Sequence, residues 1–486
     1  LAEAFRVRSE CEVVSENRGE ATVTAEQRPA AKSGGGIAAM FRSILGQQPR
    51  VPSAAARTPG SRRWKDLARL LPECERGVGG EAAARARIGK VLHFYREAGD
   101  DEKRYLLELL NDTLSADPAK VRTAIDAYLR TDEPKACDMA LESLRSHLDA
   151  PRLKLLGQFN LVPDGVAALV RLRADLQRLE GEKGRFAALD RDLVRLFAAW
   201  FDIGFLELRR IGWNSSAALL EKLIRYEAVH EITSWNDLRN RLDSDRRCYA
   251  FFHPRMPDEP LIFIEVALLR EVATNVRILL DESQPTLDPG AASVAVFYSI
   301  SNTQPGLKGI SFGEFLIKRV VEQLQMEFPG LKTFATLSPV PSFMNWLMRQ
   351  NVEEQKRSLP PELEFICSGD ADARARLLQS AIVGDRGKPV QRGVEAWLCR
   401  QCAHYLLAER RGHEPLDPVG RFHFSNGASL MRINWLADTS ARGLRQSGGL
   451  MVNYLYSLSE IENNHEAYRG TGALAAARQV RRLLDR

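Results

Sequence analysis

The chain has 486 residues, 44% of them apolar and 27% charged, and a formal charge of +5. That length allows two or three domains around a large core, and so small a charge spread over it does not point to nucleic acid. No apolar run reaches the ~20 residues of a membrane helix, so a helical membrane protein is not expected either.

The seven cysteines are Cys11, Cys74, Cys137, Cys248, Cys367, Cys399 and Cys402. An odd, scattered set in a large chain does not suggest a disulfide framework. Cys399 and Cys402 form a C-x-x-C without a second pair at zinc-finger spacing. The plain expectation is two thiols on one helical face, with a thiol switch or a link between chains as the alternative. The start lacks a secretory pattern, and its glutamates (Glu3, Glu10, Glu12, Glu16, Glu20 and Glu26) argue against import despite the basic stretch that follows. A cytoplasmic protein is the simplest expectation.

Residues 1–63 are rich in Ala, Gly, Ser, Pro and Arg, with Gly34, Gly35 and Gly36 in a row. Such a segment buries too little surface to offset chain entropy, so disorder is expected there. From Trp64 to Ile203 the apolar spacing is helical throughout. Tyr105, Leu106, Leu109 and Leu110 follow it, as do Val166, Leu169, Val170, Leu176 and Leu179. This predicts an antiparallel helical bundle with a structural role. Residues 204–486 read as one mixed α/β domain. Helices are expected over Ser216–Glu227 and Trp235–Leu242. Strands are expected at Cys248–His253, Pro260–Ala267 and Ser293–Ser301, then at Gly420–Trp435 and Gly449–Tyr456, with a helical insertion at 345–415. The fold class is therefore α+β.

The richest stretch runs from Ala295 to Pro341: a strand, a glycine-spaced loop, a helix and a second strand ending in Ser338 and Pro339. Ser311 and Glu314 form a capping box, so the free amides of the first helical turn should face the loop Gly306–Gly309. Those amides and the positive end of the helix favour an anion, and Lys308 adds charge. The spacing is neither a Walker A loop nor the dinucleotide fingerprint. A nucleotide or the pyrophosphate of coenzyme A would fit. A glycine turn that caps a helix and binds nothing is the plain alternative.

Ser338 follows a strand and precedes Pro339-Val340-Pro341, which should leave it at a strand mouth, where open α/β sheets bind ligands. No G-x-S-x-G surrounds it, so a serine hydrolase is not indicated. His423 precedes Asn426-Gly427, a tight-turn signal, which predicts a hairpin arm with Phe422 and Phe424 on one face and His423 with Ser425 on the other. By themselves, a strand-end serine and a lone strand histidine are ordinary structural residues. No spacing suggests a metal site.

Taken in order, Phe297-Tyr-Ser-Ile-Ser301, Gly306-Leu-Lys-Gly309, Phe315-Leu-Ile-Lys318, Thr336-Leu-Ser-Pro339, Asn426-Gly-Ala428, Arg432-Ile-Asn-Trp435, Ala437-Asp438 and Gly449-Leu-Met-Val-Asn-Tyr454 resemble the malonyl-CoA decarboxylase family over about residues 204–470. The preceding helices resemble its N-terminal helical domain more loosely. The resemblance implies a catalytic domain of the N-acetyltransferase type, whose splayed mixed sheet grips the pantetheine of coenzyme A. It places the pyrophosphate loop at Lys308, Gly309, Ile310, Ser311, Phe312, Gly313 and Glu314, with a glycine spacing that departs from the superfamily's usual one. It puts the active serine on Ser338 and the active histidine on His423, and implies homo-oligomers formed through the helical domain; a membrane partner is not expected, given the lack of a long apolar run. A malonyl thioester can lose carbon dioxide without metal or organic cofactor, because its own carbonyl takes the electrons as an enolate. Ser338 is assigned to orienting the carboxylate and His423 to protonating the α-carbon, with Tyr456 and Asn434 as supporting groups. An acyl-CoA-dependent acyltransferase and a non-catalytic coenzyme A-binding scaffold are the competing expectations.

Overall fold

A computed structural model of the chain describes residues 62–76, 79–180, 184–310, 316–384 and 389–484. The disorder expected at the N-terminus and the capping box at Ser311 fall outside these residues, although the first helix, Arg62–Arg76, already includes the last two positions of the segment expected to be disordered.

The first part of the described chain is helical, as its apolar spacing requires. Proline opens several of its helices where the missing N–H has no intrahelical partner to lose. Asp117 and Glu133 cap the helices Pro118–Leu129 and Pro134–Leu148. The helix Gly165–Leu179 buries Val166, Leu169, Val170, Leu172 and Leu176 against its neighbours. Its first six residues, Gly165–Val170, are buried on every side because this end also packs on the second part of the chain, while Arg171 and Arg178 keep the later turns partly polar.

That second part is built on an eight-stranded sheet. Its strands are β1 (Glu207–Ile211), β2 (Arg246–His253), β3 (Met256–Leu269), β4 (Val294–Asn302), β5 (Thr333–Thr336) and β6 (Ser338–Pro339). A two-residue ladder outside the sheet pairs β7 (Arg410–Arg411) with β8 (Glu414–Pro415). β9 (Ser429–Asn434) and β10 (Met451–Leu455) complete the sheet. The order is β1-β2-β3-β4-β5-β10-β6, with β9 also on β10. β4 and β5 are parallel and the other pairs in the sheet are antiparallel.

Both faces of the sheet's middle are covered, so β2, the later part of β3 and β4 are buried on both sides, whereas the edge strand β1 is largely exposed. On β2, Tyr249 and Phe251 face the main core, while Cys248, Ala250 and Phe252 face Leu220, Leu223 and Leu238 of two short helices. Each fully buried leucine or phenylalanine among them contributes about 1.5–3 kcal/mol. Ser216 and Ser234 cap those two helices, Ala217–Tyr226 and Trp235–Arg241.

Between β6 and β9 the chain runs through the helices Phe343–Arg349, Val352–Ser358, Ala371–Val383 and Pro389–Leu407. Cys399 and Cys402 lie on the last of these, both as free thiols, with Cys402 fully buried. Burial pushes the Cys399 thiol up to about 12, which makes it a poor nucleophile. No described helix is long and apolar enough to cross a membrane.

One expectation fails here. Residues 418–425 are not a hairpin arm but the helix Pro418–Ser425. Asp417 caps it, accepting the Gly420 amide at 2.6 Å, and Pro418 sits at its first position. That start signal outweighs the brief Phe-His-Phe alternation. Asn426 and Gly427 then end a helix rather than turn a hairpin. Gly427 has φ +76°, and a Cβ there would lie 2.0 Å from the Ile461 carbonyl oxygen, so only glycine fits.

Candidate active site

β4 and β5 run parallel from Val294↔Thr333 to Phe297↔Thr336. The Leu337 amide then donates to the Phe297 carbonyl at 2.9 Å. Past this point the two strands part. β4 continues to Asn302 on β3 alone, and Ser338 and Pro339 pair with Val452 and Met451 of β10. Ser338 therefore stays in the sheet instead of ending it, and Pro339 is tolerated because β6 pairs with β10 alone. The fork is the splayed sheet that the resemblance implied.

A cavity of about 270 Å³ fills the fork, lined by Tyr298, Ser299, Leu337, Ser338, Phe422 and His423, among others. Although 85 residues separate them, His423 Nε2 lies 3.0 Å from Ser338 Oγ. On the other side of the ring, Nδ1 lies 2.8 Å from the Tyr456 hydroxyl. Tyr454 stacks on the imidazole, with ring centroids 4.4 Å apart and planes at 26°. Ser338 Oγ–H donates to Thr336 Oγ1 at 2.8 Å. All these groups are buried: Ser338 is 6% exposed, His423 2%, Tyr456 1% and Thr336 0%. Burial pulls the His423 pKa down to about 3 and pushes that of Tyr456 far above its ordinary value. At neutral pH the imidazole is uncharged and the phenol keeps its proton.

A second cavity, of about 450 Å³, shares Asn302 and Phe422 with the first, and Lys308, Gly309, Ile310 and Arg469 are among its other lining residues. The loop carrying Lys308 is pinned from the helical region. Arg173 donates to the carbonyls of Gly306 (2.8 Å) and Lys308 (2.9 Å) while paired with Asp190 at 2.8 Å. Gly306 presses so closely on the helix Gly165–Leu179 that a Cβ would lie 1.8 Å from the Val170 carbonyl oxygen. Its need for glycine is set by that helix, whereas Gly309 needs glycine for its φ of +80°.

Comparison with known proteins places this architecture. The description "Malonyl-CoA decarboxylase C-terminal domain" belongs to a family model that matches residues 204–486, and "Malonyl-CoA decarboxylase N-terminal domain" to one that matches 114–201. The mitochondrial malonyl-CoA decarboxylase of Anser anser anser is 35% identical over 437 residues, covering 85% of this chain and 86% of its own. The chain belongs to the malonyl-CoA decarboxylase family. The crystal structure of malonyl-CoA decarboxylase from Agrobacterium vitis matches with a TM-score of 0.77 and 42% identity, over 86% of this chain and 99% of that one. The structure from Rhodopseudomonas palustris gives 0.75 and 42% over the same shares.

In this malonyl-CoA decarboxylase family member, Ser338, His423 and Tyr456 come together. Lys308, Gly309 and Ile310 line the larger cavity, while Ser311, Phe312, Gly313 and Glu314 fall outside the described residues. Asn434 does not join the group. It pairs with Met451, whereas Ser338 pairs with Val452, and neighbouring strand residues point to opposite faces. Its amide donates instead to Asn453 Oδ1 at 2.8 Å in a network on the far side. Thr336, Tyr454 and Arg173 were not singled out from sequence. Thr336 was legible in principle, since two residues from Ser338 on a strand means the same face. Arg173 was not, because nothing local marks its target 133 residues away.

Proposed function

We propose that this chain converts malonyl-CoA to acetyl-CoA and carbon dioxide. The observation that carries this reading is the buried Ser338–His423–Tyr456 chain opening on a cavity next to a larger one edged by Lys308. The larger cavity takes coenzyme A, with Lys308 near its phosphates, and the malonyl end enters the fork. Pro339, Val419 and Phe422 make much of that wall apolar. A carboxylate there has few waters, and loss of carbon dioxide moves its charge to the thioester oxygen. The β4 edge at Tyr298–Ile300, free of β5, borders the cavity and offers backbone amides to that oxygen. Ser338 orients the departing carboxylate, and His423 delivers the proton to the α-carbon from Nε2. The reading calls on no cofactor.

Residues 64–203 serve in this reading as a helical domain for self-association, and 204–486 as the catalytic domain with an insertion at 345–415. Exposed Leu129, Met139 and Leu148 on neighbouring helices support an oligomer through that region. The native mass of the protein tests this. The cytoplasm is its expected compartment, which cell fractionation tests.

The deciding experiment incubates purified, folded protein with malonyl-CoA and follows acetyl-CoA and carbon dioxide. Formation of both is expected. Acyl transfer to an added amine without carbon dioxide would instead indicate an acyltransferase, and coenzyme A binding without turnover a scaffold. His423→Gln should lower kcat by about 10²–10⁴ with KM changed only a few-fold. Equal loss of affinity and turnover would argue for a binding role.

A further inference from the structure

We infer that Thr336 is a positioning residue that fixes which nitrogen of His423 carries the proton. The argument starts from the one proton that each hydroxyl can donate. Ser338 Oγ–H gives its proton to Thr336 Oγ1 at 2.8 Å. The same oxygen accepts the Tyr454 amide at 3.1 Å, so its place in the sheet is set by the backbone. The Thr336 carbonyl is held as well, by the buried Asn453 amide at 2.6 Å on the opposite face. Ser338 therefore meets His423 with a lone pair, not with a proton.

The 3.0 Å contact between Ser338 Oγ and His423 Nε2 then needs its proton on the nitrogen. A neutral imidazole has only one N–H, so Nδ1 is bare and accepts from the Tyr456 hydroxyl at 2.8 Å. Among the described residues, Tyr456 has no other hydrogen-bond partner for that proton. The donors run one way, from Tyr456 through His423 and Ser338 to Thr336. This is the reverse of a hydrolase dyad, in which the serine donates to the histidine. The histidine stands ready as an acid at Nε2, the ring atom that faces Ser338 of the cavity wall.

The consequence rests on the decarboxylase reading above. When carbon dioxide leaves, the carbon–carbon bond pair becomes the enolate. Nε2 gives its proton to the α-carbon as Tyr456 gives its own to Nδ1. The imidazole passes from one neutral tautomer to the other without ionising. The negative charge ends on the Tyr456 oxygen until a solvent proton replaces it. A thioester enolate is a far stronger base than a tyrosinate, even a buried one, so the transfer runs downhill.

The first test needs no turnover. In ¹⁵N-histidine-labelled, ligand-free protein at pH 7, the His423 signal, assigned by its loss in His423→Gln, should show a protonated Nε2 and a bare Nδ1. A protonated Nδ1 would overturn the inference, whatever the activity proves to be. Thr336→Val keeps the shape and removes the acceptor, so Ser338 should turn its proton to Nε2 and the signal should switch to the Nδ1–H form. With malonyl-CoA, kcat should fall 10- to 100-fold at a KM within threefold. Thr336→Ser should restore both the tautomer and most of kcat. If Thr336→Val folds and keeps the wild-type tautomer and kcat, Thr336 does not position the histidine. If it does not fold, the wild-type signal and the Thr336→Ser variant still decide. A wild-type protein with the expected tautomer but no carbon dioxide release would sink the decarboxylase reading and leave the assignment standing.

Discussion

Arg173 Nη1 lies 2.8 Å from the Gly306 carbonyl oxygen, across 133 residues and from the helical region to the loop beside the larger cavity. Its second bond, to the Lys308 carbonyl, and its pair with Asp190 make one buried guanidinium the anchor of that loop. Arg173→Leu leaves a carboxylate and two carbonyls without their donor, at a cost of about 3 kcal/mol. The loop edges the proposed coenzyme A cavity, so KM for malonyl-CoA should rise several-fold more than kcat falls. Arg173→Lys should rescue little, because an ammonium cannot serve three acceptors in the plane of the guanidinium fork. Steady-state kinetics with a urea titration checks this. A kcat loss at constant KM would mean that the loop does not bind substrate.

Two glycines of the same loop should respond differently to alanine. Gly306→Ala drives a methyl into the Val170 carbonyl and should cost about 2–3 kcal/mol. Gly309→Ala meets open space and bears only the strain of φ +80°, about 1 kcal/mol. Urea midpoints compare them. Equal midpoints would mean that the loop does not seat against the helix Gly165–Leu179 as described.

Acid should weaken the fold partly through His423. Its folded pKa of about 3 lies below the ordinary 6.5 because burial disfavours the charged ring. Between these values the unfolded chain binds a proton that the folded one refuses. The contribution is thus present above pH 6.5 and is lost as pH falls toward 3, by up to roughly 1.4 kcal/mol per unit. Buried Asp417 and Glu265, raised to about 7 and about 8, act in the opposite sense. The useful quantity is therefore the difference between wild type and His423→Phe, in which those terms cancel. The advantage of wild type should shrink by about 2–3 kcal/mol from pH 7.5 to 4.5. Parallel curves for the two proteins would show that the ring takes up its proton in the folded protein as readily as in the unfolded chain.

Tyr456 and Asn434 were expected to support the chemistry together, and the sheet separates them. Tyr456→Phe removes the proton donor at Nδ1 and should lower kcat about 10- to 100-fold. Asn434→Ala takes a donor from the buried Asn453, on the other face, and should cost about 1–2 kcal/mol of stability. Its kcat should stay within about threefold of wild type. A folded Asn434→Ala protein as slow as Tyr456→Phe would contradict this division.

The sequence by itself determined the elements whose signals are local. Helical spacing from Trp64 to Ile203 and the apolar runs at Cys248–His253 and Ser293–Ser301 fix element type because side-chain direction follows backbone period. Ordered motifs such as Thr336-Leu-Ser-Pro339 pointed to the family, and the resemblance in turn marked Ser338 and His423. Local pattern misled at residues 418–425, where three alternating residues suggested a strand and the Asp417–Pro418 cap set a helix. Tertiary structure alone decided the rest. Partnership between Ser338 and His423 depends on where β5 leaves β4, and Asn434 is excluded by the register of β9 on β10. The direction of the proton chain depends on Thr336, whose hydroxyl is oriented by an amide of another strand. Hydrogen bonds reach only about 3 Å, so residues far apart in sequence acquire chemistry together only when packing brings them to that distance.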